Sequence, residues 1–181
     1  MSVPGFESRR PFHRIALIAI ALPLLLAACT SRLAGGDGVR FVVVRHAEKV
    51  DDGSRDPALS QTGRDRAAAL VRRLADTPVV AVYASGFHRT RDTAAPTAQD
   101  HGVAITTYDA NEPAATFAAR LRRAHRSGSV LVVGHSNTAP DIAAALCGCD
   151  VPAMDEDEYT RLMTIHVGRN GGITLLSTTT P

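Results

Sequence analysis

Three short blocks of this 181-residue chain carry side chains able to handle an anionic group. The β-branched run Val42-Val43-Val44, of the kind that forms a buried strand, ends on Arg45-His46-Ala47-Glu48-Lys49. Val130-Leu131-Val132-Val133-Gly134 ends in the same way on His135-Ser136-Asn137. Between them, Ser85-Gly86-Phe87-His88-Arg89-Thr90 follows the apolar run Val79–Ala84. Ligands of open α/β sheets collect beyond the carboxyl ends of strands. An imidazole placed there can act as a nucleophile, and guanidinium forks beside it match the oxygens of a phosphoryl group. Residue types and positions together describe a phosphoryl-transfer pocket.

The pocket requires strands that alternate with helices. Val39–Arg45 reads as a strand, and Leu59-Ser60-Gln61-Thr62-Gly63 as a turn and cap. A helix follows to about Asp76, with Ala67, Leu70, Val71 and Leu74 on its apolar face. Val79–Ala84 is a strand, Arg89–His101 a helix and Val103–Tyr108 a short strand. Ala114–His125 is amphipathic, with Phe117, Leu121 and Ala124 on one side. Val130–Gly134 then leads into a helix over Asp141–Leu146. Leu162–Val167 and Ile173–Ser177, parted by Arg169-Asn170-Gly171-Gly172, predict a terminal hairpin. The pattern predicts the α/β class: one three-layer α/β/α domain over residues 39–181 with a mostly parallel sheet.

The first 28 residues do not read as part of that fold. Arg9, Arg10 and Arg14 stand against Glu7, and an apolar stretch from Ile15 to Ala28 follows, interrupted by Pro23. It is short for a membrane span and suits the h-region of a signal peptide. Leu26-Ala27-Ala28-Cys29 resembles a bacterial lipobox, which implies cleavage before Cys29 and lipid on its sulfur. Residues 29–38 read as a flexible tether rich in Gly. Ser8-Arg9-Arg10-Pro11-Phe12 resembles a twin-arginine signal, leaving that route and the ordinary secretory one both open. The expectation is a periplasmic lipoprotein anchored in a membrane at Cys29, and Thr30 in place of an Asp points to the outer membrane. The formal charge of +2 resides in this leader, so the domain sums to about zero. Near-neutrality, with three Tyr and no Trp, argues against a nucleic-acid partner. Cys147 and Cys149 lack the neighbours of a zinc site and read as structural, paired or reduced.

Four blocks now appear in order: Arg45-His46-Ala47-Glu48-Lys49, Leu59–Ala67, Ser85–Thr90 and Gly134–Asn137. In that order they resemble the histidine phosphatase superfamily, which includes the phosphoglycerate mutases and small phosphohistidine phosphatases. The resemblance covers roughly residues 39–178 and implies a phosphoglycerate mutase-like fold. Ala47 stands where the family commonly has Gly, a variant similar to the compact bacterial members.

The resemblance implies catalytic roles for His46, Arg45, Arg89 and His135. His46 would be the nucleophile that becomes phosphohistidine. Arg45, Arg89, His135 and Ser136 would bind the substrate's phosphoryl oxygens, joined by amides at a helix start. No cofactor or metal is called for, since two Arg and a His supply the charge. The proton donor is open between Asp109, Glu112 and neither; a capping turn explains Tyr108–Pro113 equally well. Glu48 and Lys49 are placed at the pocket mouth. Asp155-Glu156-Asp157-Glu158 reads as a solvated face or helix start, able to repel anions from one side. His88 reads as solvent-facing, and His13, His101, His125 and His166 as structural or exposed. The expected partner is a phosphorylated small molecule or envelope component. The competing expectation is a non-catalytic envelope lipoprotein that binds phosphorylated or anionic ligands in the same pocket.

Overall fold

A computed structural model describes residues 38–180, together with Met1. The leader 1–28, Cys29 and the tether as far as residue 37 lie outside the described residues, Met1 apart.

The six strands are β1 (Gly38–Arg45), β2 (Val79–Ser85), β3 (Ile105–Tyr108), β4 (Gly128–Gly134), β5 (Arg161–Gly168) and β6 (Ile173–Thr179). The helices are α1 (Gln61–Leu74), α2 (His88–Asp100), α3 (Ala114–Ala124) and α4 (Thr138–Cys147). The strands form one sheet in the order β3-β2-β4-β1-β5-β6. β3, β2, β4 and β1 run parallel, and the hairpin β5–β6 adds antiparallel to β1. The predicted alternation and terminal hairpin are both present.

The alternation of side chains along β1 sorts the core into two layers. Val39, Phe41 and Val43 pack with Phe117 and Leu121 of α3 and Ile142 and Leu146 of α4. Val42 and Val44 face the other way, onto Leu70 and Leu74 of α1 and Ala94 and Ala98 of α2. Both faces of the central strands are covered, so their sequences are continuously apolar rather than alternating.

Element boundaries differ from expectation where turn chemistry overrides pattern. β3 begins at Ile105 rather than Val103, because Val103 N–H donates to Ala98 O at 2.9 Å and Gly102 N–H to Gln99 O at 3.2 Å. These bonds close α2 around Gly102 at φ +64°, and they use Val103 before the strand can. α4 starts at Thr138 instead of Asp141. Pro140 falls in its first turn, where a missing N–H costs no helical bond. The acidic run 155–158 forms a turn and not a helix start.

Candidate active site

β1 and β4 are adjacent and in register, with Arg45 opposite Gly134. His46 N–H carries the ladder one step further, donating to Gly134 O at 2.9 Å. His46 and His135 therefore leave neighbouring strand ends together, with ring centroids 5.5 Å apart at an interplanar angle of 68°. Both are buried, with exposures of 3% and 8%. Gly134 lets Thr138 and Tyr108 close in on the end of β4. A Cβ there would lie 2.8 Å from Thr138 Oγ1 and 3.2 Å from Tyr108 Oη. Thr138 Oγ1 is itself occupied, accepting from His135 N–H at 2.9 Å.

The tautomer of His46 follows from its partner. Nδ1 lies 2.8 Å from the carbonyl oxygen of Ala47, which can only accept, so Nδ1 carries the proton. Nε2 keeps its lone pair. Burial pulls the ring's pKa down to about 3; the Ala47 carbonyl opposes this, while His135, Arg45 and Arg89 add to it. The ring is a neutral, oriented nucleophile. Ala47 N–H donates to Thr93 Oγ1 at 2.9 Å and Thr93 donates to Arg89 O at 2.7 Å, tying the loop after β1 to α2.

His135 is oriented by hydroxyls. Thr90 Oγ1 lies 3.0 Å from Ser85 O and 2.8 Å from Phe87 O, so its hydroxyl donates to carbonyls. Ser85 Oγ, 2.8 Å from Thr90 Oγ1, then donates to Thr90 and accepts from His135 Nε2–H at 2.9 Å. Burial holds the His135 pKa down to about 4, with Arg89 and Arg45 lowering it further and Asp56 opposing.

The two guanidinium groups flank this pair. Arg45 is buried, and its Nη1 donates to Asp155 O at 2.9 Å and Glu158 O at 3.1 Å. Its Cζ sits 4.1 Å from the ring centroid of Tyr159, and that ring lies 6.0 Å from His46. Arg45 Nε is buried without a hydrogen-bond partner. Such an orphaned donor fits a site built for an anion. Arg89 lies over the Phe87 ring at 4.4 Å, with Asp56 Oδ1 3.5 Å from Nη1. Phe87 in turn meets His135 edge-on at 5.1 Å. Ser136 donates to Glu156 Oε1 at 3.1 Å, and Asn137 gives α4 no side-chain cap.

Arg45, His46, Arg89, His135 and Ser136 are thus gathered at one end of the sheet. Glu48 has another task than the pocket mouth. It takes three hydrogen bonds of 2.6–3.0 Å from Arg66, which more than offset its burial and hold its pKa below the ordinary range. Its carbonyl oxygen would also clash with any Cβ at Gly63, so the start of α1 is pressed onto this loop. Lys49 is exposed and bridges to Leu59. Glu112 is paired with Arg120 at 2.6 Å. Asp109 lines an open groove of about 500 Å³ with Asp56 and Phe87. His88 is exposed, but its N–H donates to Asp56 at 2.9 Å. His125 is structural, 2.9 Å from the Tyr83 hydroxyl. Cys147 and Cys149 form a disulfide.

Sequence reading missed Ser85, Thr90, Thr93, Phe87, Asp56, Tyr159 and Glu156. Ser85, Phe87 and Thr90 stand inside a block already singled out, so their nearness to Arg89 was a usable signal. Glu156 lies in the acidic run already read as able to repel anions, but nothing placed that run beside Arg45, and Tyr159 carried no signal. Among the described residues no group of three or more His, Cys, Asp or Glu is arranged to hold a metal ion.

The histidine phosphatase superfamily (branch 1) profile matches residues 41–112. No curated protein matches this sequence significantly. Among solved structures, the protein histidine phosphatase SixA complexed with tungstate has a TM-score of 0.58 at 19% identity, covering 77% of this chain and 96% of that one. Mycobacterial glucosyl-3-phosphoglycerate phosphatase gives 0.55 at 16%, covering 77% and 97%. A phosphoserine phosphatase from Entamoeba histolytica gives 0.56 at 12%, covering 76% and 94%. At these identities the likeness carries the fold; chemistry has to be argued from the side chains.

Proposed function

We propose that the domain, whose residues 41–112 match the histidine phosphatase superfamily (branch 1), hydrolyses phosphate monoesters or phosphoramidates through a phosphohistidine on His46. The observation that carries this reading is the His46 ring, buried, neutral, and fixed through Nδ1 so that Nε2 is free. Nε2 attacks phosphorus, and the bond to the leaving oxygen or nitrogen breaks with its electron pair. The leaving group takes up a proton. Arg45, Arg89 and Ser136 bind the equatorial oxygens, where negative charge is spread in a loose transition state, while His135, its Nε2–H held by Ser85, packs against the reacting ring and positions it. Water then attacks the phosphorus, the P–N bond breaks towards His46, and inorganic phosphate leaves.

The reading extends to export and a lipid anchor at Cys29, with the enzyme in the periplasm on the outer membrane. Support for that part is the basic leader, its apolar run and the Cys that ends it. A periplasmic enzyme meets phosphorylated envelope components or small molecules rather than cytoplasmic metabolites.

The test is hydrolysis of a chromogenic aryl phosphate by the wild type and by His46→Ala. Turnover by the wild type alone, with an acid-labile phosphoryl adduct trapped on His46, is the expected result. Equal hydrolysis by both removes the mechanism. No hydrolysis by either, with inorganic phosphate still bound, favours a non-catalytic binder. For the anchor, Cys29→Ser should shed the acyl mass from the mature protein, and an unchanged mass overturns lipidation.

A further inference from the structure

The end of the sheet opposite the histidines is chemically distinct. In a parallel α/β fold the strands begin where the preceding helices end; that end carries Asp76 and Asp100 at the ends of α1 and α2, but its hollows are lined by arginines. Two hollows of about 470 and 430 Å³ open on it, and a third of about 270 Å³ runs from it along the sheet face as far as Leu162. The first two share Gly168 and Arg169, and the first and third share His166 and Thr174, so they form one continuous relief. Their linings include Arg40, Arg73, Arg122, Arg126 and Arg169, and not one Asp or Glu. None of these arginines has an ion-pair partner among the described residues. The opposite end, by contrast, carries Asp56, Asp109 and the run 155–158 around Arg45 and Arg89.

Position adds to charge. The middle hollow is lined by Gly38 and Val39 as well as Arg122, Arg126 and Arg169. Gly38 is where the chain enters β1, pairing with Gly168 across to β5. Upstream of it, only nine residues separate β1 from the apolar run ending at Ala28. A lipid on Cys29, as proposed above, would tether the domain through the start of β1, at this end rather than at the histidine end. β1 then spans about 25 Å to Arg45, at ~3.3 Å per residue, which sets the reactive end away from the membrane.

We propose that the strand-start end of this domain docks on anionic phospholipid, with the hollow between Arg122, Arg126 and Arg169 taking a headgroup phosphate. Guanidinium groups suit that task, since they bind phosphate oxygens in pairs and need little rehydration. Basic residues near a negative leaflet strengthen attachment additively. The surface thus supplies a second membrane signal and fixes the orientation of the domain. This inference rests on the anchor proposed above and is independent of the reaction.

The experiment is hydrogen exchange of the full chain on vesicles of phosphatidylcholine alone and of phosphatidylcholine with about 30 mol% phosphatidylglycerol. Amides in 122–127 and 168–172 should exchange several-fold more slowly on the anionic vesicles only, and about 0.5 M salt should remove the difference. Arg126→Glu with Arg169→Glu should abolish that protection while β1 and β4 exchange as in the wild type. If the double charge reversal disturbs β1 and β4, Arg126→Gln with Arg169→Gln takes its place. Equal exchange on the two vesicle types, or protection that survives either double variant, overturns the proposal.

Discussion

Glu156 stands on two of the groups that the substrate should use. Its carboxylate lies 3.5 Å from Arg45 Nη2 and accepts from the Ser136 hydroxyl at 3.1 Å. The side chain is 90% exposed, so the contact is screened and easily displaced. A carboxylate bridging an arginine and a hydroxyl copies two contacts that a phosphoryl oxygen would make. Glu156 therefore competes with the anion for the resting site. Glu156→Gln keeps the shape and removes the charge. It should tighten inhibition by inorganic phosphate about two- to fivefold, in line with the worth of an exposed ion pair. The inhibition constant against an aryl phosphate measures this, and weaker inhibition would show that Glu156 assists the anion.

The Ser85–Thr90 pair makes a second claim open to test. Thr90 donates to carbonyls, so Ser85 accepts the His135 Nε2 proton and fixes that ring's tautomer. Ser85→Ala leaves a buried N–H without an acceptor, a loss worth about 1–3 kcal/mol. If the penalty falls in the transition state, kcat drops about 10- to 100-fold with little change in KM. Unchanged kcat would mean that His135 is held by packing against Phe87 alone.

The strands and helices were legible because their apolar runs must cover both faces of a parallel sheet. Val42 and Val43 go to opposite layers, yet both must be apolar, and a sequence records that directly. His46 and His135 were legible for a related reason: each follows a buried strand at its carboxyl end. The partners of Arg45 were not. Asp155 and Glu158 reach it through backbone carbonyls, which any residue type supplies, so nothing in their side chains announces the contact. Glu48 misled for the opposite reason. Its place beside His46 suggested the pocket, but Arg66, 18 residues on, claims its carboxylate.

The proton donor divides Asp109 from Glu112. Glu112 is committed to Arg120; Asp109 Oδ1 caps its own turn, accepting from Asn111 N–H at 2.9 Å, and the residue lines the groove beside Phe87 and Asp56. A donor in that groove matters only when the leaving group is a poor one. Asp109→Asn should leave aryl phosphate turnover within about twofold and slow an alkyl phosphate by about 10²-fold or more. Glu112→Gln should spare both. Equal effects of Asp109→Asn on the two ester classes would exclude it as the donor and leave solvent in that role.

The two histidines also set how the fold responds to acid. Each titrates near 6.5 in the unfolded chain but at about 3 (His46) and about 4 (His135) when folded. Between those values the unfolded state binds protons that the folded state refuses, so stability falls as the pH drops from 6.5 towards 4. Each ring contributes at most about 1.4 kcal/mol per pH unit within that window. Glu48, whose folded pKa is depressed, adds its loss chiefly below 4.5, whereas His125, whose pKa burial also lowers, contributes within the range and leaves a residual slope in the variant below. Urea midpoints at intervals from pH 7.5 to 4.5 should fall steeply for the wild type and less steeply for His46→Asn with His135→Asn. Parallel slopes for the two proteins would place the acid sensitivity elsewhere. The same pKa keeps Nε2 of His46 unprotonated over this range, so kcat/KM for an aryl phosphate should show no acid limb near 6.5 from the nucleophile.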